Sequence, residues 1–377
     1  MSDSPDSSRY AAASGARRPR AIVYCEANFG AIDGKTANGL VRNSDRYEII
    51  SVIDSQLADQ DTGMVLDGEP NGIPLRRDLA DAMAHAGPTP DVLIVGVAPT
   101  TGLLSMTERR VLLEAMSHGL SIVNGLHEFL NDDPEFAAAA AINSVEITDV
   151  RRPKAKVDLR MFSGSILGVS CPRIAVLGTD GAIGKRTTAT ILTRALNDHG
   201  VNAVLVGTGQ TSLIQGARHG VALDAVPAQF VTGELEAAVV DAAHANTPDV
   251  IIIEGQGALS HPTYLSSTAI LRGSLPTAVI LQHAPARTAI SDFPMFAMPT
   301  PASEINLIET FADTKVIGLT INHENMTASE ITAAITMYEL ELGIPATDAL
   351  TRPSDRLLDM VFAAFPDLEE KRSIAAT

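Results

Sequence analysis

Eleven consecutive residues, Gly178, Thr179, Asp180, Gly181, Ala182, Ile183, Gly184, Lys185, Arg186, Thr187 and Thr188, have the side chains and spacing of an anion-binding turn. The three glycines let backbone N–H groups curl around a phosphate. Lys185 adds a positive charge, and a helix opening there aims its N-terminal dipole at the same point. Five residues separate Gly178 from Gly184, where the common G-x-x-x-x-G-K-[ST] loop has four, and Arg186 stands where a magnesium-binding hydroxyl follows the lysine. The run therefore reads as phosphate-binding first, and as nucleotide-hydrolysing only with further support.

Glu254 ends an apolar run at 249–254 and leads into Gly255, Gln256 and Gly257. An acid at such a strand end can hold Mg²⁺ opposite the phosphates, with Thr187 or Thr188 as the hydroxyl ligand, or it can cap the turn. His261 follows within seven residues, and His283 closes the apolar run 278–282. Either imidazole, with an ordinary pKa of about 6.5, can take a proton at neutral pH, and either can instead be a hydrogen-bonded core group. Arg272 and Arg287 can grip a carboxylate through paired N–H groups or sit in surface ion pairs. Thr208, Gly209, Gln210 and Thr211, with Gln256, offer uncharged donors and acceptors at a neighbouring strand end, suited to orienting a substrate.

Positioning these groups requires strands that deliver them to one edge. In the second half, apolar β-branched runs at 173–177, 203–206, 249–254, 278–282 and 315–320 predict strands, and helical patterns at 185–199, 234–246 and 328–342 lie between or after them. The first half repeats the alternation, with strands at 21–25, 47–53, 91–96 and 121–124 and helices at 75–85 and 107–118. Strands alternating with helices specify a parallel α/β sheet in each half. The expected fold is thus two α/β domains: a Rossmann-like one over 20–150 and a P-loop NTPase-like one over 173–370. A charged, proline-containing linker at 151–172 joins them, with a disordered tail at 1–19 and a frayed end at 371–377. Strand ends of the first half carry residues 26–35, Asp54, 96–101 and 124–127. No G-x-G-x-x-G follows the first strand, which argues against a nicotinamide cofactor and makes Asp54 a strand-end cap.

Composition fits this frame. In 377 residues, a 45% hydrophobic fraction supports two cores, and the net charge of -17 disfavours nucleic acid and anionic membrane as partners. No apolar run approaches the roughly 18 residues a membrane helix needs, and the N-terminal stretch has no apolar signal core. Cys25 and Cys171 have no metal-ligand spacing, so the expectation is a cytoplasmic protein with reduced thiols that forms a homo-oligomer.

Residues 178–188, 208–211, 224–226, 254–262, 273–276 and 283–287 resemble the D-glutamate N-acetyltransferase-like family, and the likeness continues through 35–39, 94–98, 124–127 and 149–153. It implies a Rossmann-like domain ahead of a P-loop domain related to dethiobiotin synthetase, whose loop shares the five-residue spacing. It also implies transfer of an acetyl group from acetyl-CoA to the amino group of a D-amino acid. The loop would hold the phosphates of CoA. Glu254 and His261, or His283, would deprotonate the ammonium, and backbone N–H groups of 255–257 would steady the oxyanion. The chain departs from the family pattern at Gly181, Arg272 and Ala284, where a cysteine, a histidine and an acid are usual; this bears on the acceptor more than on the donor. Two other functions fit the same residues: an ATP- and Mg-dependent ligase or kinase of the dethiobiotin synthetase type, and a nucleotide-binding regulatory protein.

Overall fold

The computed structural model describes residues 17–99 and 102–375; most of the expected tail, and Thr100 and Thr101 of an expected strand-end loop, lie outside this range. The chain forms two compact units. One comprises the residues up to Lys154 together with Gln210–Arg218, the other Ala155–Gly209 together with the residues from His219 onward.

In the first unit, β1 (Arg20–Tyr24), β2 (Glu48–Ile53), β3 (Leu75–Arg76), β4 (Val92–Val95), β5 (Ser121–Asn124) and β6 (Ile147–Asp149) form a parallel sheet in the order β3-β2-β1-β4-β5-β6. This is the strand order of dinucleotide-binding folds. The strands are apolar on both faces because helices cover both. These are α1 (Lys35–Arg42), α2 (Thr62–Asp67), α3 (Leu79–Ala84), α4 (Met106–Ser117) and α5 (Pro134–Asn143). Local signals start them: Ser105 and Glu108 form a capping box on α4, and Asp133 caps α5 with Pro134 in its first turn. The helix expected at 75–85 is corrected. Leu75 and Arg76 pair with Val52 and Ile53 as a strand, and α3 begins only after Asp78, whose side chain accepts the Asp81 N–H at 2.8 Å. Asp54 is a cap, accepting the N–H groups of Phe29 and Gln56, each at 3.0 Å.

In the second unit, β7 (Arg173–Gly178), β8 (Ala203–Gly207), β9 (His219–Gly220), β10 (Val250–Glu254), β11 (Ala278–His283), β14 (Val316–Ile321) and β15 (Ala346–Thr347) form a parallel sheet in the order β15-β14-β11-β7-β10-β8-β9. A separate antiparallel hairpin joins β12 (Ala289–Ile290) to β13 (Phe293–Ala297). Alternate residues of each strand face opposite layers. Ile174, Val176 and Ile252 pack with α6 (Lys185–Asp198), α12 (Asp355–Ala364) and α13 (Pro366–Ala375). Ala175, Leu177 and Ile253 pack with α8 (Val231–Asn246), α9 (Ser266–Ser274), α10 (Pro301–Phe311) and α11 (Ala328–Leu342). The backbone is helical through Ala375, which corrects the expected frayed end at 371–377 as far as the described residues reach.

The second half of the expected linker is a strap bound to α8. Glu234 accepts the Arg160 N–H at 2.7 Å, Glu236 accepts those of Ser163 at 2.6 Å and Ile166 at 3.2 Å, and Ile166 is fully buried. Gly233 admits this approach, since a Cβ there would stand 2.2 Å from the Arg160 carbonyl oxygen.

The remaining helix, α7 (Gln210–Gln215), follows β8 in the chain but belongs to the first unit. Gln215 Nε2 donates to the carbonyls of Gly39 at 2.8 Å and Asn43 at 2.7 Å, and the Gln215 carbonyl accepts the Asp45 N–H at 2.8 Å.

Candidate functional site

β7 is central in the second sheet, flanked by β11 and β10, so its carboxyl end opens between two other strand ends. The turn from Gly178 to Gly184 lies there. Gly184 is the N-cap of α6 with φ +106°, and no side chain caps the helix. Ala182 also has positive φ, +49°. Left-handed residues beside an uncapped helix start leave N–H groups directed inward as a concave anion nest. Lys185 is buried, and its ammonium donates to the Asp180 carbonyl oxygen across the turn.

Asp180 is the keystone of this loop. Fully buried, it accepts the Gly181 N–H at 2.7 Å through Oδ1, and through Oδ2 the N–H of Ser291 at 3.0 Å and Arg287 Nη1 at 2.9 Å. Arg287 further donates to the carbonyl oxygens of Gly181 at 3.0 Å and Ala182 at 3.2 Å, and from Nε and Nη2 to Glu324. All five guanidinium N–H groups are thus committed to protein oxygens. Burial disfavours its charge, but Glu324 and Asp180 outweigh that and hold its pKa above the ordinary value. The expected role of Arg287 as a substrate clamp is corrected: it braces the loop. Arg272 lies exposed on α9 with its guanidinium 5.0 Å from the centre of the Phe311 ring.

Both threonines line a narrow cleft with Gly184, His323 and Asp348; Thr188 is buried there with its Oγ1 donating to Gln282 Oε1 at 2.6 Å, and Thr187 is half-buried. Thr179 Oγ1 lies 2.9 Å from His283 Nδ1, which links the loop to the end of β11. Burial lowers the pKa of His283 to about 4, so the ring is neutral over the ordinary pH range.

Glu254 ends β10 buried, its Oε2 accepting the N–H groups of Thr208 at 2.7 Å and Gly209 at 3.1 Å. Gln256 Nε2 reaches the carbonyl of the same Thr208. Glu254, Gln256, Thr208 and Gly209 therefore form one clasp between two strand ends. Gln210 and Thr211 do not join it: they lie on α7 in the first unit, where Thr211 Oγ1 is 3.0 Å from Thr36 Oγ1. The turn after Glu254 is held by Glu304, which accepts the Leu259 N–H at 2.5 Å and the Ser260 hydroxyl at 2.6 Å; burial pushes its pKa up.

His261 completes the site. It is buried and stacks on Tyr264 with ring centres 4.3 Å apart, and Phe293 of the hairpin meets it edge-on at 5.8 Å. Its Nε2 is 4.0 Å from Asp180 Oδ1. Burial lowers its pKa, against the opposing pull of Asp180 and Asp292. The hairpin is tied down where Tyr264 donates to Asp292 Oδ2 at 2.6 Å. Sequence reasoning missed Tyr264, Asp292, Phe293, Glu304 and Glu324. Only Tyr264, three residues from His261, lay near a recognised motif.

Among the described residues, no group of three or more His, Cys, Asp or Glu side chains is placed to hold a metal ion, and no helix is long and apolar enough to cross a membrane. The arrangement can hold an anion at the α6 N-terminus beside a rigid, partly aromatic wall.

Residues 160–358 match the model of a C-terminal P-loop domain of unknown function, DUF1611, and residues 55–153 match its Rossmann-like N-terminal counterpart. A D-glutamate N-acetyltransferase of Tritonibacter scottomollicae is 32% identical over 72% of this chain and 81% of its own, and one from a Pseudoalteromonas species is 28% identical over 70% and 79%. The crystal structure of a DUF1611 family protein from Anabaena variabilis superposes with a TM-score of 0.84 at 31% identity, covering 92% of this chain and all of that one.

Proposed function

This chain belongs to the DUF1611 family, and from that premise we propose that it is an N-acetyltransferase carrying the acetyl group of acetyl-CoA to the amino group of a D-glutamate-like amino acid. The names of its relatives support N-acetyl transfer. The observation that carries the donor is the state of the phosphate loop. An uncapped, left-handed turn with a buried lysine suits the phosphates of CoA. Beside it, the Glu254 carboxylate clasps the Thr208 and Gly209 N–H groups, and Arg186 replaces the metal-binding hydroxyl. Arg186 is the residue that sets this loop apart from the Mg²⁺ site that ligase or kinase chemistry needs.

In the reaction the amine nitrogen attacks the thioester carbonyl carbon, a C–N bond forms, and the C–S bond breaks. Of the two protons the ammonium sheds, one goes to the departing thiolate and the other to water. The side chains of this unit stabilise the oxygen that becomes negative in between. Glu254 engages the clasp through Oε2, and His283, which reaches the loop through Thr179, is the imidazole we assign to relaying the proton; made a weak base by burial, it passes the proton on rather than keeping it.

Calorimetric titration tests the donor. Acetyl-CoA is expected to bind and Mg-ATP not to, and Lys185→Ala is expected to weaken acetyl-CoA binding by at least about tenfold, the loss of one charge-assisted contact. Circular dichroism checks that the variant is folded. Binding of Mg-ATP alone would replace this reading with the ligase or kinase one.

A further inference from the structure

The two nitrogens of His261 are in opposite states. Nδ1 accepts the backbone N–H groups of Thr263 at 3.2 Å and Tyr264 at 3.3 Å. A ring nitrogen that accepts an N–H carries no proton of its own, so the neutral imidazole holds its proton on Nε2. That atom is buried without a hydrogen-bond partner. The nearest acid, Asp180 Oδ1, is 4.0 Å away, beyond hydrogen-bond reach, and already takes the Gly181 N–H at 2.7 Å. Buried donors left unpaired are rare because they destabilise the fold, and they recur where a ligand supplies the acceptor.

We infer that His261 is a hydrogen-bond donor to an oxygen of the molecule held at the phosphate loop, and that it is not the base. The identity of that oxygen rests on the function proposed above: in acetyl transfer it is the thioester carbonyl oxygen as it becomes the oxyanion. For His261 to act as a base, Nε2 would have to gain a lone pair by moving the proton to Nδ1, against the Thr263 and Tyr264 N–H groups. Turning the ring over would take Nδ1 away from both of those N–H groups. The groups around it are Asp180 from the loop, Asp292 from the hairpin and Lys185 from α6; the two acids favour a charged ring, while burial, the larger effect, and Lys185 favour a neutral one. A neutral imidazole N–H can stabilise an oxyanion, and no proton transfer is required of it.

Substitution separates donor from base. The amide of glutamine reaches the place of Nε2 and donates, but it cannot take up a proton. Turnover is expected to fall about 10²- to 10³-fold in His261→Ala, with KM for acetyl-CoA little changed, and His261→Gln should recover at least about tenfold of that loss with an unaltered pH profile. A glutamine variant as impaired as alanine, with the acid limb of the profile gone, would make His261 the base. A readout without turnover uses wild-type protein labelled with ¹⁵N-histidine. The inference requires the Nε2–H tautomer in the free protein and a downfield shift of that proton when acetyl-CoA, inorganic phosphate or Mg-ATP is added. A shift with Mg-ATP but not acetyl-CoA would leave the donor standing and remove acetyl transfer. The Nδ1–H tautomer, or a proton unmoved by all three, would overturn the inference.

Discussion

Arg287 shows how far a residue's chemistry depends on what surrounds it. A guanidinium four residues past a strand-end histidine is a natural carboxylate clamp, yet here every N–H is taken by Asp180, Gly181, Ala182 and Glu324. Removing it would leave Asp180 and Glu324 without their cation. Arg287→Ala is therefore expected to lower unfolding free energy by about 3 kcal/mol, as for other broken, largely buried ion pairs. Urea denaturation measures this; unchanged stability with a raised KM for the amino acid would restore the clamp. The phosphate loop was legible because its function is written in contiguous residues. The roles of Arg287, Arg272 and His283 were not, because their partners come from elsewhere. Glu324 is 37 positions from Arg287, and Thr179 is 104 from His283.

At the scale of elements, strands buried on both faces announced themselves as uninterrupted apolar runs, and β7, β10 and β11 lie within a residue of their expected limits. Short or alanine-rich elements did not. β3 is two residues long and owes its existence to pairing with β2, while α5 is half alanine, with no stripe to mark its face. The strap at 160–166 read as a linker because its anchors, Glu234 and Glu236, sit some 70 residues later on α8. Its closeness to that helix depends on a missing side chain. Gly233→Ala would drive a methyl into the Arg160 carbonyl, so amide hydrogen exchange at 160–166 is expected to quicken and stability to fall by about 1–3 kcal/mol. Unaltered exchange across the strap would show that the backbone absorbs the methyl without loosening.

At the scale of the molecule, the two units are not two consecutive stretches of chain. The first is completed by Gln210–Arg218, a segment encoded in the middle of the second. A fragment ended at Lys154 lacks the donors and acceptor with which Gln215 engages Gly39, Asn43 and Asp45. It is expected to melt at a lower temperature than the same fragment with 210–218 appended through a flexible linker; equal melting temperatures would show α7 to be dispensable to that fold.

The excursion of α7 also bears on inheritance. Proteins acquire new pairings of domains when a gene is cut once and rejoined, and a single cut suffices only where each fold occupies its own continuous stretch of code. Here a break anywhere between the halves would leave the first without α7, which the second would carry away with it. Such an architecture discourages recombination from trading one half for another, and it ties the descent of the Rossmann-like sheet to that of the phosphate loop.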